Sequence, residues 1–547
     1  MRKFMWKKAA AAAMTATILA TSATVLQAAA PPDGYTNAQD TVEAYGGAYS
    51  NWMTKWNSTI SKDREQISLS PGSDNSSVNF AWYTKKSAGV QKLKIAENKR
   101  LTNAKVYEAE QTKAVTDKDE TEYVSNKVTA TDLKANTNYY YSYQKDGQWT
   151  APEKYTTDNG SKFSFIFVGD PQIGASKGQT QNGAELTNES GAANTAAEND
   201  GFSWNRTLNT ALSENPDVNF VISAGDQVNK TGEAKEEEYA SYLSADALRS
   251  LPVATTIGNH DSLNPDYSYH FNNPNNTENG KTAAGGDYYY SYGEGLFIVL
   301  NTNNYNVAEH QNTIEEAVKA YPDAKWRIVT IHQDIYGSGL DHSDTDGMIL
   351  RTQLTPVFDA NDIDVVLQGH DHTYSRSKML YGDGQTHEKY EFSLNADGTD
   401  YDWDHATNVD TGDQITLAPE DGDTDAQAAL DAFHEDNNCY TIEDVDGNTV
   451  TDPQGILYMT ANSASGSKYY ELLSTQQDYV AARSQNWLPS YSVITMTADS
   501  FSIDTYQITD DGKAEAIDDT FTIQKSGTDT SADTTDAAET ESDASAN

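Results

Sequence analysis

His370 and His372 flank a single aspartate in the stretch DVVLQGHDHTYSR, residues 364–376. An apolar run of the strand type, Val365, Val366 and Leu367, stops at Gly369 and delivers the two imidazoles to its carboxyl end. Side chains alternate across an extended segment, so both rings would share one side, an arrangement suited to metal binding. A lone His-x-His is weak evidence; its company makes the case. Four other segments run a hydrophobic strand into a turn that ends in metal-liking side chains. FSFIFVGD ends at Asp170 and continues to Gln172, and FVISAGD ends at Asp226 and continues to Asn229. VATTIGNHD presents Asn259 and His260, and RIVTIH places His332 at a strand end. Carboxylate, amide oxygen and imidazole together can hold two transition metals.

These side chains need elements to bring them together. In open α/β sheets functional groups gather beyond the carboxyl ends of the strands, so five such ends in chain order imply one site. Helical periodicity over 204–213, 236–249, 313–321 and 349–360 separates the strands, which gives an α/β layered fold. The polar stretch 174–200 is too long for an ordinary connection and reads as an insertion near the site. Residues 381–452 are acidic and turn-rich and read as a solvated insertion. Within it Asp444, Asp446 and Asn448 surround Gly447 as in a calcium loop, but the downstream glutamate of an EF-hand loop is missing. Strand patterning resumes at 455–460, 491–497 and 500–508.

Ahead of this part, residues 60–158 read as short strands with turn punctuation, the pattern of an all-β sandwich. Leu133 ahead of Tyr139 and Tyr141 suggests a tyrosine corner, with packing as the account of the tyrosines. Residues 31–57 have mixed helical and turn character and suggest no role. The first segment, MRKFMWKK followed by an apolar and small-residue run to Leu26, reads as a secretory signal peptide cut between Ala28 and Ala30, with a retained anchor as the alternative. No later stretch is apolar enough to span a membrane, which makes the expected destination extracellular, secreted or surface-associated. The tail 526–547 has no aromatic or basic residue and reads as disordered, without a lipid or wall-anchoring signal.

Composition narrows the functions. One cysteine, Cys439, excludes an intramolecular disulfide, and nothing about its surroundings suggests reactivity. A formal net charge of −44 argues against a nucleic-acid or anionic-lipid footprint. An anionic substrate must then be drawn by a local cationic centre, for which bound metal is the obvious candidate.

The ordered set of Asp170, the GD turn at Asp226, GNHD, a strand-terminal His332 and GHDH resembles the calcineurin-like metallophosphoesterases, and within them the purple acid phosphatase branch. The resemblance implies a two-sheet sandwich flanked by helices over 161–525, preceded by a fibronectin type III-like β-sandwich over 58–158. It implies a dinuclear site for iron, manganese or zinc. Asp170, Asp226 and His372 would bind the first ion; bridging Asp226, Asn259, His332 and His370 would bind the second. His260 would contact the phosphate or protonate the leaving oxygen, and His342 would position substrate. The implied reaction is hydrolysis of phosphomonoesters by a metal-bound hydroxide, with a phosphodiesterase acting on nucleotides or surface polymers as the alternative. A surface binding protein with a degenerate enzyme domain is the lesser one. Asp371 is expected to support the imidazoles, and Tyr374 and Arg376 to line the pocket or to pack.

Two positions depart from the family pattern. Asn229 stands where the purple enzymes have an iron-binding tyrosine, so colour is not expected. Gln172 stands where many relatives have histidine; an amide oxygen is a weak ligand, so the first metal would be held loosely or differ in identity. A requirement for added metal follows.

Overall fold

The computed structural model describes residues 41–526 apart from 42–43, 45, 117–119, 182–183, 233–234, 341–345, 388, 392–404 and 418–421. The expected signal peptide, the tail beyond Ser526 and His342 lie outside the described residues.

The motif-bearing strands belong to two eight-stranded sheets. In the first, Lys162–Val168 lies parallel to Phe220–Ser223, which lies parallel to Val253–Thr255, and Ser490–Thr497 flanks Lys162–Val168 on its other side. In the second, Trp326–Thr330, Val365–Gln368 and Ile456–Thr460 run parallel in that order. The sheets share one core. Phe220 stacks on Phe165 with ring centroids 5.0 Å apart and meets Phe297 of the opposite sheet edge-on at 5.6 Å, among Leu367, Met459 and Ile494.

Strands covered on both faces read as unbroken apolar runs, which is why FSFIFV and FVIS do not alternate. The outer face of the first sheet, with Ile166, Val168 and Val221, is covered by Trp204 and Leu208 of helix Thr195–Glu214 and by Tyr239 and Tyr242 of helix Glu236–Leu243. Ile314, Leu354 and Phe358 from helices Val307–Ala320 and Asp346–Ala360 cover Ile298, Val329 and Val366 of the second. The described helices include none long and apolar enough to cross a membrane.

Residues 67–156 form two antiparallel sheets closed over Phe80, Trp82, Val128 and Tyr141. The Tyr139 hydroxyl accepts from the Lys134 N–H at 2.9 Å, closing the loop ahead of its strand. This β-sandwich docks on the layered domain through polar contacts. Arg249 donates to the Ile67 carbonyl and Gln66 Oε1 at 2.6 and 2.7 Å, and Tyr83 stacks on His270 at 4.4 Å.

Three expectations change. The polar stretch 174–200 is an insertion only as far as Asn194. Helix Thr195–Glu214 starts there, with the Asn194 side chain accepting from the Ala197 N–H at 2.9 Å, because Glu198 and Asp200 are buried acceptors rather than solvated loop residues. The 31–57 segment has a structural role in its described part: helix Ala48–Ser58 lies on helix Thr195–Glu214, its Trp52 indole donating to the Glu198 carbonyl at 2.8 Å and Trp56 to Ala192 at 3.2 Å. The 381–452 segment is not simply solvated. His405–Asn408 and its two neighbouring strands form a small sheet, helix Thr424–Asp436 packs Phe433 against Met348 and Tyr390, and Thr449–Thr451 completes the edge of the first large sheet. The Asp444–Asn448 turn joins two such edge strands, which accounts for Gly447 at φ +84° without a bound ion. Cys439 is buried, and burial pushes its thiol up to about 12, consistent with an inert side chain.

Candidate metal centre

The five strand ends converge. Asp170, beyond Lys162–Val168, is fully buried; its Oδ2 accepts from the His370 N–H at 2.8 Å and its Oδ1 lies 3.6 Å from His372 Nε2. Asp226, beyond Phe220–Ser223, accepts from the His260 N–H at 2.9 Å through Oδ1, the oxygen that lies 3.6 Å from His332 Nε2. Asp170, Asp226 and His332 each offer one ligand atom, all within 4.8 Å of one another. Asn259 Oδ1 is 2.9 Å from His332 Nε2, and the His370 and His332 ring centroids are 4.8 Å apart.

The rings are held so that lone pairs face inward. His332 Nδ1–H donates to the Ala224 carbonyl at 2.9 Å, and His372 Nδ1–H donates to the Lys468 carbonyl at 2.8 Å. A neutral imidazole so tied keeps Nε2 as an acceptor. At His332 that acceptor meets two more, Asn259 Oδ1 and Asp226 Oδ1. A cation between these three electron-rich groups would satisfy them together. Asp170 Oδ1 adds a fourth: it is buried and has no hydrogen-bond partner, and burial with the neighbouring Asp226 carboxylate pushes Asp170 well above the usual carboxylate range. The donor set fits divalent cations.

The backbone is bent to achieve this. Asp170, Gln172, Asp226, His370 and His372 all have φ between +34° and +70°, a region non-glycine residues enter at a cost and keep mainly at functional sites. Gly225, at φ +115°, supplies the turn before Asp226; a Cβ there would sit 2.2 Å from His332 Nδ1.

Several residues of the site have roles that sequence reasoning missed. Asp261 is buried and its Oδ2 accepts from the Gln227 and Gly258 N–H groups at 3.3 and 3.1 Å, tying the second and third turns together; burial and Asp226 push it up to about 7. Asp371 accepts from the Ser338 and Gly339 N–H groups, so the aspartate expected to support the imidazoles anchors the loop after His332. A sixth strand end contributes as well. Beyond Ile456–Thr460, Ser463 Oγ donates to the Asp170 carbonyl at 3.1 Å, Lys468 orients His372, and the Lys468 ammonium sits 4.5 Å over the Tyr470 ring, itself edge-on to His372 at 5.2 Å. The signal was there, since ILYMT runs into ANSASGSK with the same grammar of apolar strand and small-residue turn. Tyr374 and Arg376 both bind Asp518, at 2.7 Å each, which makes packing their account.

A calcineurin-like phosphoesterase family model matches residues 163–374, and a purple acid phosphatase N-terminal domain model matches residues 64–157. Residues 163–374 are a calcineurin-like phosphoesterase domain. The chain is a phosphoesterase hydrolase of a family that works with divalent metal ions, with the N-terminal domain of the purple acid phosphatase branch. Purple acid phosphatase PPD1 from yellow lupin (Lupinus luteus) seeds shares the fold, with a TM-score of 0.52 and 13% identity over 84% of this chain and 75% of that one. PhoD aligns with a TM-score of 0.49 and 11% identity over 85% of this phosphoesterase and 91% of its own chain. No curated protein matches the chain in sequence.

Proposed function

We propose that the chain is an exported phosphomonoesterase that works with two metal ions held side by side. The observation that carries this reading is the convergence of the Asp170 and Asp226 carboxylates with His332, one ligand atom of each lying within 4.8 Å of the others, with Asn259 Oδ1 beside His332 Nε2 at 2.9 Å. Asp170, Asp226 and His372 would hold one ion, and Asp226, Asn259, His332 and His370 the other. Such a pair supplies Lewis acidity and an activated water for in-line displacement at phosphorus.

The protein's own residues do the rest. His260 is partly exposed, with its side chain 23% accessible, and its Nε2 lies 4.0 Å from Asp226 Oδ2. Its Nδ1–H is committed to the Asn229 carbonyl, so the ring presents Nε2 towards the site. When the ring is an imidazolium, Nε2 can donate to a phosphate oxygen or to the departing alkoxide. The Lys468 ammonium, held by the Tyr470 hydroxyl and ring, acts on Asp170 as a local positive charge and would help to draw a phosphate group into an acidic chain. His342, outside the described residues, remains proposed for substrate positioning.

The test compares a nitrophenyl monoester with a bis-nitrophenyl diester, using chain stripped of metal and then given manganese, iron or zinc. Monoester turnover that returns with metal is expected. Turnover confined to the diester would replace this reading with a phosphodiesterase, and no turnover of either with any ion would overturn it. Export belongs to the same proposal and rests on the basic and apolar first segment. Chain recovered from the medium should start near Ala30; a chain that keeps Met1 and stays with the cells would refute it.

A further inference from the structure

The two positions that depart from the family pattern touch each other. Gln172 Nε2 donates to Asn229 Oδ1 at 3.3 Å. This contact is set by the backbone, because the turns after Asp170 and Asp226 run as a short parallel ladder. The Gln172 N–H donates to the Asp226 carbonyl at 2.7 Å, the Ile173 N–H to Gln227 at 3.2 Å, and the Asn229 N–H returns to Ile173 at 3.0 Å. Glu238 locks the second turn from behind, accepting from the Asn229 and Lys230 N–H groups at 3.1 and 2.8 Å. Gln172 itself is 1% exposed, and its φ of +34° holds it in a strained conformation beside Asp226.

With the amide nitrogen committed to Asn229, the other end of the group is fixed. Gln172 Oε1 is buried and has no hydrogen-bond partner. A buried carbonyl oxygen left without a donor is costly, and the deficit disappears if a cation stands in front of it. Asp170 Oδ1, two residues away in the same turn, is orphaned in the same manner.

We propose that Gln172 Oε1 is a ligand of the ion held by Asp170, and that Asn229 aims it by holding the amide nitrogen. This rests on the two-metal reading above. The first ion would then be bound by oxygens from Asp170, Asp226 and Gln172 and a single imidazole, His372. Oxygen-rich sets favour harder divalent ions, and imidazole-rich sets favour zinc. The pair therefore biases the first position towards Mn²⁺.

The experiment uses the metal-stripped full chain and reads binding instead of turnover: Mn²⁺ titrated by calorimetry and by the loss of its free electron-spin resonance signal, with Zn²⁺ as competitor. The expected result is that Gln172→Leu weakens one of two Mn²⁺ equivalents by at least about tenfold, the scale on which ligand-shell changes act. Gln172→Glu, which keeps an oxygen, should retain it, and Gln172→His should shift preference towards Zn²⁺. Asn229→Ala, at a partly exposed position, should weaken the same equivalent without touching Gln172 itself, so a poorly folding Gln172→Leu does not end the test. Two Mn²⁺ equivalents of parental affinity in both Gln172→Leu and Asn229→Ala would overturn the proposal and leave the two-metal reading standing, with a water as the partner of Oε1. A parent chain that binds none of the ions would overturn both.

Discussion

Asp226→Asn is expected to lower metal-dependent monoester turnover by roughly 10³-fold, the scale on which removal of one electrostatic stabiliser acts in a closed site. The amide retains an oxygen to accept from the His260 N–H, so the third turn stays in place. What goes is the negative charge shared between the two proposed metal positions, and with it the binding of at least one ion. The variant carries an internal control. Asp226 helps push Asp170 and Asp261 above the usual carboxylate range, so its charge burdens the metal-free fold. Without metal, Asp226→Asn should therefore melt at a higher temperature than the parent, and with Mn²⁺ or Zn²⁺ present the order should reverse. Turnover within tenfold of the parent would show that Asp226 does not bridge the ions.

Gly225→Ala is expected to damage both the fold and the candidate metal centre with a single methyl group. At φ +115° an L-residue is strained by about 1–3 kcal/mol, and the new Cβ would fall 2.2 Å from His332 Nδ1, adding about 1–3 kcal/mol of overpacking. Together these come to about 2–6 kcal/mol, which at its upper end matches the total stability of a weakly stable domain, about 5 kcal/mol. Relief requires the His332 ring to move, which breaks its bond to the Ala224 carbonyl and turns Nε2 away from Asn259. Urea unfolding and Mn²⁺ titration of the same sample separate the two effects. A lower midpoint with parental metal affinity would mean that the ring does not need the Ala224 carbonyl to be a ligand.

Much of the domain was readable from the sequence because its informative parts obey simple rules. Buried parallel strands appear as FSFIFV or DVVL, and the residue that leaves the sheet has to be a small or strained one, which marks the turn. The candidate ligands Asp170, Asp226, Asn259, His332, His370 and His372 follow those marks, and the structure brings them together. The residues that brace them were hidden for a different reason. Asp261, Asp371 and Asp200 act through backbone N–H groups of turns distant in sequence; Asp200, for instance, holds the Gly174 and Ser176 N–H groups at 2.7 and 3.2 Å. A carboxylate that satisfies a turn looks, in sequence, like any surface acid. The same ambiguity delayed the start of helix Thr195–Glu214, whose first turns carry Glu198, Asn199 and Asp200, although Asn194 followed by Thr-Ala-Ala-Glu was a cap signal.

Helix Ala48–Ser58 precedes the β-sandwich in the chain but packs on the domain that follows it. Chain order and contact order therefore disagree: the hydrolytic body is discontinuous, and the sandwich is an excursion from it that leaves and returns on the same flank. A fragment cut to begin at residue 161 would strip Trp52 and Trp56 from the surface around Phe202 and Ala192. The disturbance has a short route inward. Trp52 holds the Glu198 carbonyl, and Asp200, in the same turn of helix, holds Gly174, four residues from Asp170. A nick in the leading segment is therefore expected to loosen the turn that carries the candidate ligand Asp170.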